Sequence, residues 1–145
     1  MFAETLNTDD TIKACLSFYK QPPLGARHVD EVCMLLSLGY GVNGYPHLCH
    51  GGVVATIVDE VMGNLLTVNK NMDNAAIGGT SVTAYLNITY LKPVATPQTV
   101  LLTANFREIK ERKYYIDASV KDGFGVFLAT AEALWVRVDR SKGNL

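Results

Sequence analysis

From Gly51 to about Val68 the apolar positions recur every three or four residues. Val53, Val54, Ile57, Val58, Val61, Met62 and Leu65 form one continuous face, the spacing of a long amphipathic helix. Downstream the period falls to two. Residues 80–91 put Val82, Ala84, Leu86, Ile88 and Tyr90 on one side and stop at Lys92-Pro93. Residues 99–109, 113–121 and 126–138 read as further strands, separated by turn-like Glu111-Arg112 and Asp122-Gly123. Upstream, Thr8-Asp9-Asp10 supplies a candidate N-cap. Ile12, Cys15, Leu16 and Tyr19 follow at helical spacing, so a short first helix is predicted over 8–20, broken by Gln21-Pro22-Pro23-Leu24-Gly25. Residues 30–40 predict a strand. Residues 41–50, with Gly41, Gly44 and Pro46, predict a loop, and Asn69 to Gly79 a polar connection.

The predicted order is short helix, strand, long helix, then four strands joined by short turns as an antiparallel meander. One long, strongly apolar helix needs one large apolar surface to cover it. A curved sheet of about five strands wrapped around that helix supplies it, giving an α+β domain. With no repeat, linker or low-complexity tract, residues 1–145 read as one domain: an N-terminal helical segment over 1–29 and a core over 30–138.

Composition narrows the possibilities. The chain is 48% hydrophobic and 19% charged, the balance of a globular domain. A net charge of −1 gives no electrostatic reason to expect nucleic acid or an anionic membrane surface as a partner. No apolar run is expected to reach the roughly 20 residues of a membrane span. Glu4, Asp9 and Asp10 precede any apolar stretch, so no secretory signal is expected. Three scattered cysteines, Cys15, Cys33 and Cys49, fit a reducing compartment better than a disulfide framework. The expected location is intracellular, cytoplasmic in the first instance, with a mitochondrial destination left open.

The candidate chemistry lies in His50-Gly51-Gly52 and the helix that follows. At about 100° per residue, Gly52, Ala55, Thr56, Asp59 and Gly63 gather on a stripe beside the apolar face. Small residues let another surface approach. A carboxylate among them risks burial, which is unfavourable unless it is paired or has chemical work. Tight packing around an Asp59 that points to water is the competing reading. Glu60, at the polar edge, reads as a solvated surface residue. The start of a helix presents backbone N–H groups and a positive dipole end, suited to an oxyanion, and a glycine there lets a ligand approach closely.

This combination resembles the hotdog-fold acyl-CoA thioesterases of the PaaI type, in which His-Gly-Gly opens the central helix and an Asp or Glu follows nine positions after the His. His50 and Asp59 fit that spacing. Gly44-Tyr45-Pro46, Leu86-Asn87-Ile88-Thr89-Tyr90 with Lys92-Pro93, and Arg112-Lys113-Tyr114 resemble segments of the mammalian thioesterase-superfamily acyl-CoA hydrolases. The resemblance covers roughly residues 30–138. It implies a hotdog fold, with the Gly51 N–H as oxyanion donor and Asp59 as nucleophile or general base. It further implies Thr83 as the hydroxyl near the attacking water, and His50 as the residue that orients the carbonyl or braces the loop. Gly52 would border the substrate. Some relatives carry an Asn six residues before the His; here that position is Gly44, and Asn43 beside it is a weak candidate.

Coenzyme A carries phosphates, so Lys92, Arg112 and Lys113 are candidate contacts as a set, with Lys110 beside them, although any one basic turn residue is more simply solvated. His47-Leu48-Cys49-His50 hints at a metal, but only the isolated His28 and Cys33 could add ligands, so no metal or cofactor is expected. There is no Gly-x-Ser-x-Gly nucleophile elbow and no phosphate-binding glycine loop. Three functions stay open: hydrolysis of acyl-CoA, release of an acyl or polyketide chain from a carrier protein, and non-catalytic acyl-CoA binding. Hydratases of the same fold are less favoured. The resemblance also implies a homodimer, or a dimer of dimers, with sites shared between chains.

Overall fold

The computed structural model describes residues 2, 4–72 and 77–138. A six-stranded antiparallel sheet is built from β1 (Ile12–Phe18), β2 (Glu31–Leu38), β5 (Thr80–Tyr90), β6 (Gln98–Lys110), β7 (Lys113–Lys121) and β8 (Phe127–Val138). Its spatial order is β1-β2-β6-β7-β8-β5. A small hairpin, β3 (Asn43–Tyr45) with β4 (Leu48–Cys49), leads into the helix α1 (Gly51–Asn71). This is the hotdog arrangement of one long helix on a large sheet.

The core forms where two periodicities meet. β2, β6 and β7 alternate, presenting Val32, Met34, Leu36 and Leu38, then Val100, Leu102 and Ala104, then Tyr114, Ile116, Ala118 and Val120. Against them α1 lays Val54, Ile57, Val58, Val61, Met62 and Leu65. Fully burying one such side chain contributes about 1.5–3 kcal/mol, so packing rather than intrinsic propensity holds the helix. Asn69 is buried at its far end and fully bonded. Its Oδ1 accepts from the Val29 N–H (2.7 Å) and its Nδ2 donates to the carbonyls of Val29 (3.0 Å) and Leu65 (2.8 Å), fastening the segment before β2 to α1.

Four expectations are corrected. The segment 8–20 is not a helix. Thr8-Asp9-Asp10 closes a turn, with the Thr11 N–H donating to the Thr8 carbonyl (3.2 Å), and Ile12–Phe18 pairs with β2 as the sixth strand. The apolar spacing there is too short to decide the matter, and the open edge of β2 offers a full ladder of backbone partners. The last four strands are not a simple meander either. β5 pairs with β8, at the far edge, and its connection to β6 crosses the end of the sheet, where Val94 accepts from the Cys49 N–H (2.8 Å). Lastly, the 21-residue α1 is long and apolar enough to pass for a membrane span, but its apolar stripe is covered by the sheet. The predicted connection 69–79 begins later than expected, because α1 runs to Asn71, and positions 73–76 lie outside the described residues.

Candidate active site

β4 delivers the chain to the start of α1 with both flanks tied down. The Cys49 N–H donates to Val94 and the His50 N–H to the Val42 carbonyl (both 2.8 Å). His50 is the N-cap, with φ −63° and ψ 133°. Its Nδ1 accepts from the Gly52 N–H at 2.9 Å, and its carbonyl accepts from Val53 (2.9 Å) and Val54 (3.1 Å). Of the opening N–H groups, that of Gly51 alone has no acceptor among the described residues. Because Nδ1 accepts, the hydrogen-bond network puts the proton of a neutral His50 on Nε2.

The glycines around His50 are set by close approach. A Cβ at Gly44 would lie 3.0 Å from His50 Cδ2 and 3.1 Å from its Cα. A Cβ at Gly52 would lie 3.0 Å from Nδ1, so the bare Gly52 lets the imidazole fold back onto its amide. Asn43 is engaged elsewhere: its Oδ1 accepts from the Thr96 hydroxyl, joining the β3–β4 hairpin to the β5–β6 connection. Tyr90, read from sequence only as an apolar strand position, donates its Oη to the Gly51 carbonyl at 2.9 Å. The Gly51–Gly52 peptide is therefore held at both ends, by Tyr90 on its oxygen and His50 on its nitrogen.

Two turns along α1, Asp59 is half-buried and Oδ1 accepts from Thr83 Oγ1 at 2.8 Å. Simple alternation puts Thr83 on the opposite face of β5 from Leu86, Ile88 and Tyr90. The β5–β8 register shifts between Thr83 and Tyr85, so Ala84 is an extra residue and the facing parity changes there. The bulge turns both Thr83 and Tyr90 toward α1. Thr56 and Thr67 bond their hydroxyls back to the carbonyls of Gly52 (2.9 Å) and Gly63 (3.0 Å), which keeps the small-residue stripe smooth.

A cavity of about 500 Å³ opens beside Asp59, also lined by Glu60, Gly63, Thr67, Lys70 and Trp135. Glu60 is half-buried rather than fully solvated, and its charge helps raise the Cys15 thiol after burial itself. A smaller cavity of about 290 Å³ lies at the helix start, where Lys92 meets Gly51, Tyr90 and Cys49. Burial pushes the Cys49 thiol up to about 11, so it is neither a ready nucleophile nor a ready metal ligand near neutral pH. Arg112 and Lys113 are elsewhere. They sit at the β6–β7 turn, where the Arg112 carbonyl accepts from the Arg137 N–H (2.8 Å) and Lys113 pairs with Val136. That is the Thr80 end of the neighbouring β5, about 33 Å of strand from Tyr90. One chain does not gather Lys92 with Arg112 and Lys113.

One long helix laid on this six-stranded sheet defines a hotdog domain. The chain belongs to the thioesterase superfamily, whose family model matches residues 47–129. It is 26% identical to verlamelin biosynthesis protein B of Lecanicillium sp over 94% of this chain and 71% of that protein. It is 31% identical to the mouse acyl-coenzyme A thioesterase THEM4 over 72% of this chain. The chain spans less than half, 42%, of that mouse enzyme. In three dimensions it resembles a hypothetical thioesterase protein of Streptococcus pneumoniae solved with coenzyme A: TM-score 0.73, 14% identity, covering 91% of each chain.

Proposed function

We propose that the protein hydrolyses acyl-coenzyme A thioesters to the free acid and coenzyme A. The observation that carries this reading is the pair Thr83–Asp59 beside a cavity, on a helix whose first N–H has no acceptor among the described residues. With Thr83 on Oδ1, Asp59 keeps Oδ2 to take a proton from water. The water oxygen bonds to the thioester carbon, and the negative charge moves to the carbonyl oxygen facing the Gly51 N–H. When the C–S bond breaks, the thiolate leaves and recovers the proton from Asp59. The mouse relative's name and the coenzyme A in the pneumococcal structure support coenzyme A as the carrier.

The working unit is a homodimer with composite sites. Gly51 and Asp59 are eight residues apart, about 12 Å along the helix axis, so one chain does not place both at one carbonyl. Val82, Tyr85 and Tyr90 on edge strand β5 are 47%, 43% and 53% exposed, an edge that calls for cover. A two-fold axis beside β5 sets Gly51 of one chain near the partner's Asp59. It also brings the partner's Arg112 and Lys113 toward the end that holds Lys92. We infer an intracellular location, which the three free cysteines support.

The test is release of free thiol from a graded series of acyl-CoAs by the full chain. Turnover on several members supports the reading. Binding without thiol release would make this a non-catalytic acyl-CoA domain. One rival substrate is an acyl chain on a carrier protein. Faster release from acyl-carrier than from acyl-CoA would move the assignment there.

A further inference from the structure

Lys70 follows Asp59 by eleven residues on α1. At about 100° and 1.5 Å per residue that is about three full turns, so Lys70 stands over the same face, about 16 Å along the axis. The cavity of about 500 Å³ runs from one to the other, with Gly63 and Thr67 between them on the helix side. Ser81 and Gly79 line it from the sheet side. Ser81 pairs with Arg137 of β8, two residues beyond the pair Thr83–Trp135, so both pairs present their side chains to the same face. The stem of Arg137 lies over Gly79, where an added Cβ would come within 3.2 Å of its Cδ. Arg137 therefore starts at the end of the cavity that Gly79 and Lys70 share.

Two more cations are close by. The Arg137 N–H donates to the Arg112 carbonyl (2.8 Å), and Lys113 pairs with Val136. A chain of net charge −1 thus collects Lys70, Arg112, Lys113 and Arg137 at one end of a groove whose other end is Asp59. Against them the β6–β7 turn sets one carboxylate, Glu111. Neither Lys70 nor Lys113 has an ion-pair partner among the described residues. Lys70 is exposed, so its ammonium is open to a ligand. Arg112 and Arg137 are already engaged, but a guanidinium has five donors and can hold a further acceptor.

We propose that the pantetheine arm of coenzyme A lies along this groove, with the thioester at Asp59 and the diphosphate on Lys70 and Arg137, backed by Arg112 and Lys113. This rests on the reading above for the position of the thioester. From sulfur to the first phosphorus the arm has about thirteen bonds, the length of some four extended residues, roughly 15 Å. That matches the rise from Asp59 to Lys70. The arm carries two amides, and Asn64, Thr80 and Ser81 give the groove an amide and two hydroxyls to meet them. A bare hydrocarbon chain would leave that wall without partners. The acyl group then leaves the carbonyl on the side away from Lys70.

The experiment compares an acyl-CoA with the acylpantetheine of the same acyl group, which lacks every phosphate. Lys70→Gln is expected to raise KM for the acyl-CoA roughly tenfold, the loss of one hydrogen bond to a charged group, with kcat nearly constant. KM for the acylpantetheine should stay as it was, and Lys70→Arg should restore the acyl-CoA. Arg137→Gln should repeat the pattern. Equal losses on both substrates, or none on either, would overturn the proposal. So would a loss confined to acyl groups that end in a carboxylate, since the cations would then serve the acyl chain. A second measurement does not depend on hydrolysis. Calorimetric titration of the full chain with coenzyme A should show an affinity that falls in Lys70→Gln and with added salt. Affinity for coenzyme A that ignores Lys70 sinks the subsite while thiol release, if seen, keeps hydrolysis standing. Lys70-dependent binding without thiol release from any acyl-CoA sinks hydrolysis and leaves the subsite standing.

Discussion

Thr83 Oγ1 donates to Asp59 Oδ1 at 2.8 Å, across the gap between edge strand and helix. The bond fixes the carboxylate's rotamer and leaves its second oxygen available. Asp59→Asn keeps the shape and the contact to Thr83 but cannot take a proton. The expected result is a folded protein whose turnover falls by at least about 10²-fold. Near-normal turnover in that variant would remove Asp59 from the mechanism. Thr83→Val deletes the hydroxyl at nearly constant volume, and Thr83→Ser retains it. The valine variant should lose turnover with little change in KM, and the serine variant should recover most of it.

Much of this was legible in the chain. The helix could be read because seven apolar residues at one spacing admit only one covering surface, and His50 to Asp59 marked the stripe on which the proposed chemistry rests. The side of β5 that Thr83 occupies could not be read by alternation. A bulge at Ala84 inverts the parity, and nothing in Thr83-Ala84-Tyr85 announces it. Segment 12–18 misled for a different reason. Its spacing suits a short helix, and the edge of β2 that claims it lies nearly twenty residues away.

Tyr90 holds the peptide that follows the proposed oxyanion donor, through its bond to the Gly51 carbonyl. It acts through Gly51 and is a positioning residue. Tyr90→Phe keeps the ring and removes one hydrogen bond, worth about 0.5–1.5 kcal/mol. Expressed wholly in the transition state, that is a fall in kcat of roughly two- to tenfold with KM nearly constant. A rise in KM at constant kcat would instead place Tyr90 in ground-state binding.

Cys49 borders the helix start, yet burial holds its thiol protonated, with a pKa of about 11. At pH 8 the thiolate is then about one part in a thousand. Iodoacetamide at pH 8 should leave Cys49 unmodified in the folded protein, and Cys49→Ser should retain activity within a few-fold. The sign of the pH effect follows from the raised value. The folded state favours the protonated thiol, so its contribution to stability is present below the ordinary thiol range and is lost as pH rises from about 9 toward 11. Rapid labelling of Cys49 at pH 8 would contradict this burial.

The shared site can be tested by mixing two inactive proteins. Asp59→Asn removes the carboxylate, and Gly51→Pro removes the oxyanion N–H. Proline is well suited to that position. It is the first residue of α1, and His50 before it already has φ −63° and ψ 133°, the extended geometry that a following proline requires. A Cβ at Gly51 meets nothing nearer than Tyr90 Cε1 at 3.7 Å, an ordinary contact. After unfolding and joint refolding, random pairing makes about half of the dimers mixed. In each, a two-fold axis gives one site with both defects and one with neither. The mixture should regain up to about one quarter of wild-type activity, while each variant refolded alone stays inactive. A tagged pull-down confirms that mixed dimers form. If they form, Gly51→Pro refolds on its own, and no activity returns, then Gly51 and Asp59 do not serve one thioester across the two chains.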